Sequence, residues 1–429
     1  MKNATAGSPA RSHDRTLHRS LVMLVTTFVC CFNSPSFALL RIWDNPRGIA
    51  PFFNDQNNWT EGRVPDASDT AHFSTADSDV LFREAAEVHR TEIGNAAFSF
   101  NLNGFDYRSE TLHVGQLPTD VGSLTLTNGS LTTLDETIIG SFLGAIGTVI
   151  VGAGATLNTA PVVGRLGQGT LIITDGGTLG APLNVPGTLH LGSDPYSVFG
   201  PPGTGHLRVE GSGSSADTTS SQFYGHETSS TGTVIVRDNA TLSGQKLYVG
   251  FGDSSHATVD IESGGQVSSK NDLFVIAKGT GSTARVTVTD ASSRLDTGGM
   301  TVGESGHATL DIENQAVVMS GATTLGMNAG STGIASVDNA TWDIAGALNV
   351  GALGQGLLDV RNGGQLSSGV AHIGGVATDP RHRSRVTVAN ANSGWTLTGD
   401  INVEHGLLEV LDLGTVAATG TLNLLEESA

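Results

Sequence analysis

The chain has 429 residues, 57 of them glycine, with 15% charged and 5% aromatic residues and a formal net charge of −19. That length is near the ceiling for a single compact core, so two domains or one elongated domain are expected. The acidic balance, with only Lys2, Lys246, Lys270 and Lys278 as lysines, excludes a general nucleic-acid binder, which needs basic surface to neutralise phosphates.

Residues 1–38 read as a secretory signal. Arg11, Arg15, His18 and Arg19 form a basic stretch, residues 21–32 an apolar run of 12, and Ser36-Phe37-Ala38 a small-residue site for cleavage after Ala38. Twelve apolar residues are too few to span a bilayer, so no stable membrane insertion is expected. Cys30 and Cys31 are the only cysteines and both lie in this segment. The exported chain is therefore expected to have neither disulfides nor thiolate metal sites, and to sit outside the cell or on its outer surface.

Residues 39–110 follow no repeat and concentrate aromatic side chains: Trp43, Phe52, Phe53, Trp59, Phe98, Phe100, Phe105 and Tyr107. A repetitive β-fold leaves an apolar, unpaired end, so this segment is expected to be its N-terminal cap. A carbohydrate-binding surface built from the same rings is the alternative.

Residues 111–429 repeat. A nine-residue unit recurs: apolar-x-apolar, two mostly polar residues, a small pair, any residue, then apolar. Copies stand at 149–157 (VIVGAGATL), 171–179 (LIITDGGTL), 234–242 (VIVRDNATL), 259–267, 310–318 and 358–366, with looser ones from Leu124, Leu207, Val286, Ile334, Val386 and Leu408. Each is followed by a short apolar run closing on a glycine, from Gly115 through Gly192, Gly225 and Gly250 to Gly374, at a mean spacing of 26 residues. Ala277 and Val403 hold the equivalent places in two copies. Apolar-x-apolar is a short strand with one inward face. The Asp-Gly, Asn-Gly and Gly-Gly pairs supply turns of positive φ. Strands this short, with no helix-length segment between copies, predict an all-β parallel β-helix (β-solenoid) of about 11–12 coils rather than a sandwich or propeller.

At the fifth place of the unit stand Asp175, Asp238, Ser263, Asp290, Asn314, Asp338 and Asn362. These are expected to hold their own turns as an Asx ladder. An edge that binds Ca²⁺ weakly is the competing reading, and no second carboxylate at fixed spacing supports it.

Two stretches break the spacing. The coil over 193–225 is 33 residues long, with 195–203 and 212–221 reading as protrusions, and 379–385 carries the only basic cluster of the exported chain. Such loops carry recognition when a solenoid has any. The candidate ligand contacts are accordingly Tyr196, Phe199, Arg381, His382, Arg383 and Arg385, facing an extracellular glycan or a surface protein. No His-x-x-x-His spacing and no Gly-x-Ser-x-Gly elbow in a strand–helix setting occurs. No catalytic, cofactor-binding or metal-ligating residue is therefore assigned, and the protein is expected not to be an enzyme. A polysaccharide-active lyase or hydrolase, with Asp290 near Asp311 or Glu313, is the rival expectation, and a passive spacer the third.

The stretch Asn57-Asn58-Trp59-Thr60-Glu61-Gly62-Arg63-Val64-Pro65, followed by Asp69-Thr70-Ala71-His72-Phe73, resembles the NW-x-x-G-x-VP…DTA-x-F opening of bacterial surface proteins with autotransporter-type β-helical passenger repeats. LIITDGGTLGA and LDVRNGGQLSSGVAHIGG resemble those repeats, and the likeness covers residues 42–425. It implies a right-handed β-helix exported by a Gram-negative-type cell and serving in adhesion or surface display. Autotransporters end in a membrane barrel of amphipathic strands, which the last residues here do not match.

Overall fold

A computed structural model describes residues 39–45, 50–74, 76–181, 188–192, 202–218, 220–269, 272–374 and 383–425. The proposed signal segment lies outside these residues. The described chain is all β apart from one short 3₁₀ turn at Gln56–Asn58.

Each repeat makes one coil of three strands. In a representative coil these are Thr231–Arg237, Thr241–Ser243 and Leu247–Val249. All three pair in parallel and in register with the next coil: Val234 with Val259, Leu242 with Val267, Tyr248 with Val275. Stacking yields a first sheet of 14 strands, running from Ser78–Leu81 to Leu407–Leu411, and 27 further strands. Those 27 make a second and a third sheet, which fuse where Ala86–Ile93, Asp106–Val114 and Gly129–Ile139 run through both.

Alternation places the residues. Val234 and Val236 of the first sheet, Leu242 of the second and Val249 of the third are buried, while Thr233 and Ile235 point outward. Each such burial of a Val or Leu contributes about 1.5–3 kcal/mol. In the corner between the second and third sheets the interior is polar: Thr133 bonds Thr137 at 3.0 Å, and the Trp342 and Trp395 indoles donate to Ser320 and Ser368 at 3.1 and 3.0 Å, while the buried Thr297 hydroxyl, in register with Ser320, has no hydrogen-bond partner among the described residues.

Stacking begins before the repeat does, so the first sheet exceeds the expected 11–12 coils. Ser78–Leu81 pairs with Ala97–Asn101, and that strand pairs with Val121–Thr127. The aromatic residues fill these early coils. Trp43, Phe53, Trp59, Phe73, Phe82, Phe98, Phe100 and Tyr107 are all buried, with centroid separations from 4.8 Å (Phe53–Phe82) to 5.9 Å (Phe100–Tyr107). Rings turned inward cannot serve as the carbohydrate surface offered as the alternative, and of the expected set only Phe52, beneath the Arg83 guanidinium, and Phe105 are half-buried.

Gly232 shows how tightly the coil is drawn. A Cβ there would lie 2.3 Å from the Gly225 nitrogen. The equivalent residues, in register with it, include Gly205, Ala257, Ala284, Ala308 and Gly333. Gly232→Ala should therefore lower stability by about 1–3 kcal/mol through overpacking. Ala284→Gly should cost about 0.5–1 kcal/mol. Chemical unfolding of the two variants checks this order; the loss at Gly232→Ala runs against the usual preference for Ala over Gly in a strand, and the loss at Ala284→Gly follows it.

Candidate functional site

The turn from the third sheet back to the first is set by the coil-closing residue, which adopts a left-handed φ: 72° at Gly192, 63° at Gly225, 73° at Gly250, 55° at Ala277 and 78° at Gly303. The next residue then donates its N–H to the coil below. Phe251 bonds the Gly225 carbonyl at 3.1 Å, Lys278 that of Gly250 at 2.9 Å, and Glu304 that of Ala277 at 3.1 Å. His226, Phe251, Lys278, Glu304 and Met327 thus form a column along one edge of the solenoid. Gly192 and Gly374, the last described residues before 193–201 and 375–382, belong to the same set of turns. Both stretches that the spacing singled out therefore follow, in the sequence, a closing glycine of this edge.

Beside that column runs the outward position of the third sheet, two residues before each closing residue, where His190, Phe223 and Tyr248 stand in register. Their rings stack, His190 on Phe223 at 5.2 Å and Phe223 on Tyr248 at 5.1 Å, with interplanar angles of 10° and 4°. His226 stacks on Phe251 at 5.2 Å, and edge contacts tie the two rows, as between Phe223 and Phe251 at 4.8 Å. The Lys278 ammonium closes the stack, 5.2 Å from the Tyr248 ring centre, 5.3 Å from that of Phe251 and 3.9 Å from the Glu304 carboxylate. The facing sides of the stacked rings are thus covered by one another, and the ammonium lies over Tyr248 and Phe251.

Of the residues the sequence singled out, Tyr196, Phe199, Arg381 and His382 lie outside the described residues. Arg383 is exposed. Arg385 belongs to the first-sheet strand Arg385–Ala389, with its guanidinium 3.9 Å from Asp359 and 3.9 Å from Glu409. The expected protrusion over 212–221 is not one. Ser215–Asp217 is a second-sheet strand paired with Thr178–Gly180 and Thr241–Ser243, and Ala216 is buried. The extra length of that coil falls before Thr204.

The fifth-place residues are turn formers. Asp175, Asp238, Ser263, Asp290, Asn314 and Asn362 have φ between 51° and 78°. Asp338 departs from them because register pairs Ala335 with Leu310 and Leu358. The unit therefore starts at Ala335, not Ile334, and Asn339 holds the turn with φ 49°. Asp338 instead accepts from Arg361 and Asn362, each at 2.9 Å. Among the described residues no group of three or more His, Asp or Glu is arranged to hold a metal ion. A groove of about 450 Å³ crosses the corner between the second and third sheets, lined in part by Asp343, Ser367, Thr396 and Thr398. Its one carboxylate, Asp343, already accepts the Ser367 hydroxyl.

Sequence reasoning missed the aromatic cluster. Its signal is positional: an aromatic or His two residues before, or one after, consecutive closing glycines. No family model and no curated protein sequence matches the chain. Among solved structures it is similar to the crystal structure of a TibC-catalysed hyper-glycosylated TibA fragment, at 16% identity and a TM-score of 0.26, over 76% of this chain and 99% of that one. No helix among the described residues is long and apolar enough to cross a membrane.

Burial, and secondarily His226, pushes His190 down to about 3. The folded state therefore holds it neutral, and its contribution is fully present above the unfolded value of about 6.5 and lost as pH falls toward 3. The loss has a limiting slope of about 1.4 kcal/mol per pH unit. His190→Phe keeps a ring in the stack and removes the titration. Thermal midpoints between about pH 6.5 and 4 should fall less steeply in this variant than in the parent.

Proposed function

We propose that the protein is an exported, surface-displayed β-helix of the autotransporter-passenger type that makes adhesive contacts with an extracellular glycan or surface protein. The observation that carries this reading is the shared edge: Gly192 and Gly374, which precede the two stretches in the sequence, close turns of the same column, and the His226–Phe251–Lys278 row lies between them. Contacts along such an edge are individually weak and gain strength by repetition.

The acidic groups that adjacent coils bring together support a binding role over catalysis. Asp311, one partner of the carboxylate pair weighed for a hydrolase, is held by Arg285 at 2.9 Å and accepts the Ser336 hydroxyl at 2.8 Å. A glycosidase needs one such carboxyl free to donate a proton and the other free to attack or activate water.

Incubation of the purified exported chain with soluble and insoluble polysaccharides tests both halves of the reading. Co-sedimentation without release of reducing or unsaturated ends is expected, and Lys278→Glu with Arg383→Glu should weaken retention severalfold. Product release would overturn the proposal in favour of the enzyme.

A further inference from the structure

The opposite turn of the coil, from the first sheet to the second, carries a different pattern. We propose that Asn128, Asn239 and Asn339 on this edge are acceptor sites for N-linked sugar. Each opens an Asn-x-Ser/Thr triplet: Asn128-Gly129-Ser130, Asn239-Ala240-Thr241 and Asn339-Ala340-Thr341. All three asparagines are exposed and have left-handed φ of 53°, 63° and 49°. They lie between Val121–Thr127 and Gly129–Ile139, Thr231–Arg237 and Thr241–Ser243, and Thr332–Asp338 and Thr341–Ile344.

The turn alone explains the asparagine, because Asn tolerates left-handed backbone. It leaves the residue two further on open: Ser130, Thr156, Thr178, Ser215 and Thr241 share one column of the second sheet, and only some of these coils place Asn two residues earlier. Asn314, Asn362 and Asn390 occupy the same kind of turn, equally exposed, and are followed at that distance by Ala316, Gly364 and Asn392. Spacing also favours bulky groups. Four coils separate Asn128 from Asn239 and four more separate Asn239 from Asn339, about 19 Å at each step.

The fold supplies its own control. Asn58-Trp59-Thr60 is a fourth triplet among the described residues, but Asn58 is buried and its amide donates to the carbonyls of Ala50 and Phe52, both at 2.9 Å. A sugar on that nitrogen would remove a donor and has no room.

The donor class is a glycosyl diphosphate, used by a glycosyltransferase of the producing cell. The Asn amide nitrogen bonds to the sugar anomeric carbon, the bond from that carbon to the diphosphate oxygen breaks, the diphosphate leaves, and the amide proton passes to the transferase base. A nucleotide-linked donor adds single sugars and a lipid-linked donor a preassembled block, so the mass increment tells the two apart.

The test is peptide mapping by mass spectrometry of the full chain isolated from the cells that make it. Saccharide is expected at Asn128, Asn239 and Asn339, and none at Asn58, Asn314, Asn362 or Asn390. Thr241→Val and Thr341→Val should abolish sugar at Asn239 and Asn339 while leaving each asparagine in place. Unmodified amides at all three positions, sugar at Asn58, or sugar confined to Ser and Thr would each overturn the assignment.

Discussion

In-register parallel pairing sets each residue of one coil directly over its equivalent in the next, about 4.8 Å away. Every position therefore becomes a column, and a column must tolerate its own repetition. Inward columns do so easily, because Val, Leu and Ile stack without conflict and each covers the one below. Where the third strand swings back under the first, the space is too narrow for that. There the column is Gly or Ala: Gly205, Gly232, Ala257, Ala284, Ala308, Gly333. Part of the glycine content thus follows from the coil's own width, and another part from left-handed turns such as those at Gly225 and Gly250.

Outward columns face the opposite difficulty, since like charges stacked at this spacing repel. The first sheet avoids that by pairing opposite charges across rungs. Arg237 reaches Glu210 in the neighbouring coil at 2.7 Å, Arg285 reaches Asp311 at 2.9 Å, and Arg361 reaches Asp338 at 2.9 Å. Half-exposed pairs of this kind add little stability singly. Their larger effect is to remove the repulsion that the register would otherwise impose on an acidic chain. Arg385, placed by the sequence in a basic recognition tip, belongs to this system, held between Asp359 and Glu409.

The same column logic decides what could be read from the sequence. The repeat, its closing glycines and the left-handed Asx turns are periodic and were legible. The early coils were not, because they draw their interior from aromatic rings and long strands. Asp106–Val114 even carries a register break between Ser109 and Thr111 where it bends from the second sheet into the third. At Ile334 an apolar residue faces outward, so the unit seemed to begin one residue early. The aromatic edge escaped notice for a simpler reason: its members are 25 or more residues apart, and only stacking makes them neighbours.

A three-sided coil has three edges, and this one treats them differently. The edge between the second and third sheets turns its hydroxyls inward, as Thr133, Ser320 and Ser368 do, and spends them on internal hydrogen bonds. The edge between the third and first sheets turns on a left-handed closing residue, after which the chain can lengthen without disturbing any strand. The edge between the first and second sheets cannot lengthen so freely. Its left-handed residue is flanked closely by paired strands on both sides, as Asn339 is between Asp338 and Thr341. The turn there varies by only one or two residues between coils, three lying between Arg237 and Thr241 and two between Asp338 and Thr341, and many of its left-handed places are held by Asn, Asp or Ser. Whatever contacts the protein makes through its loops, and whatever groups it bears on its turns, are thereby kept on separate edges of one stack.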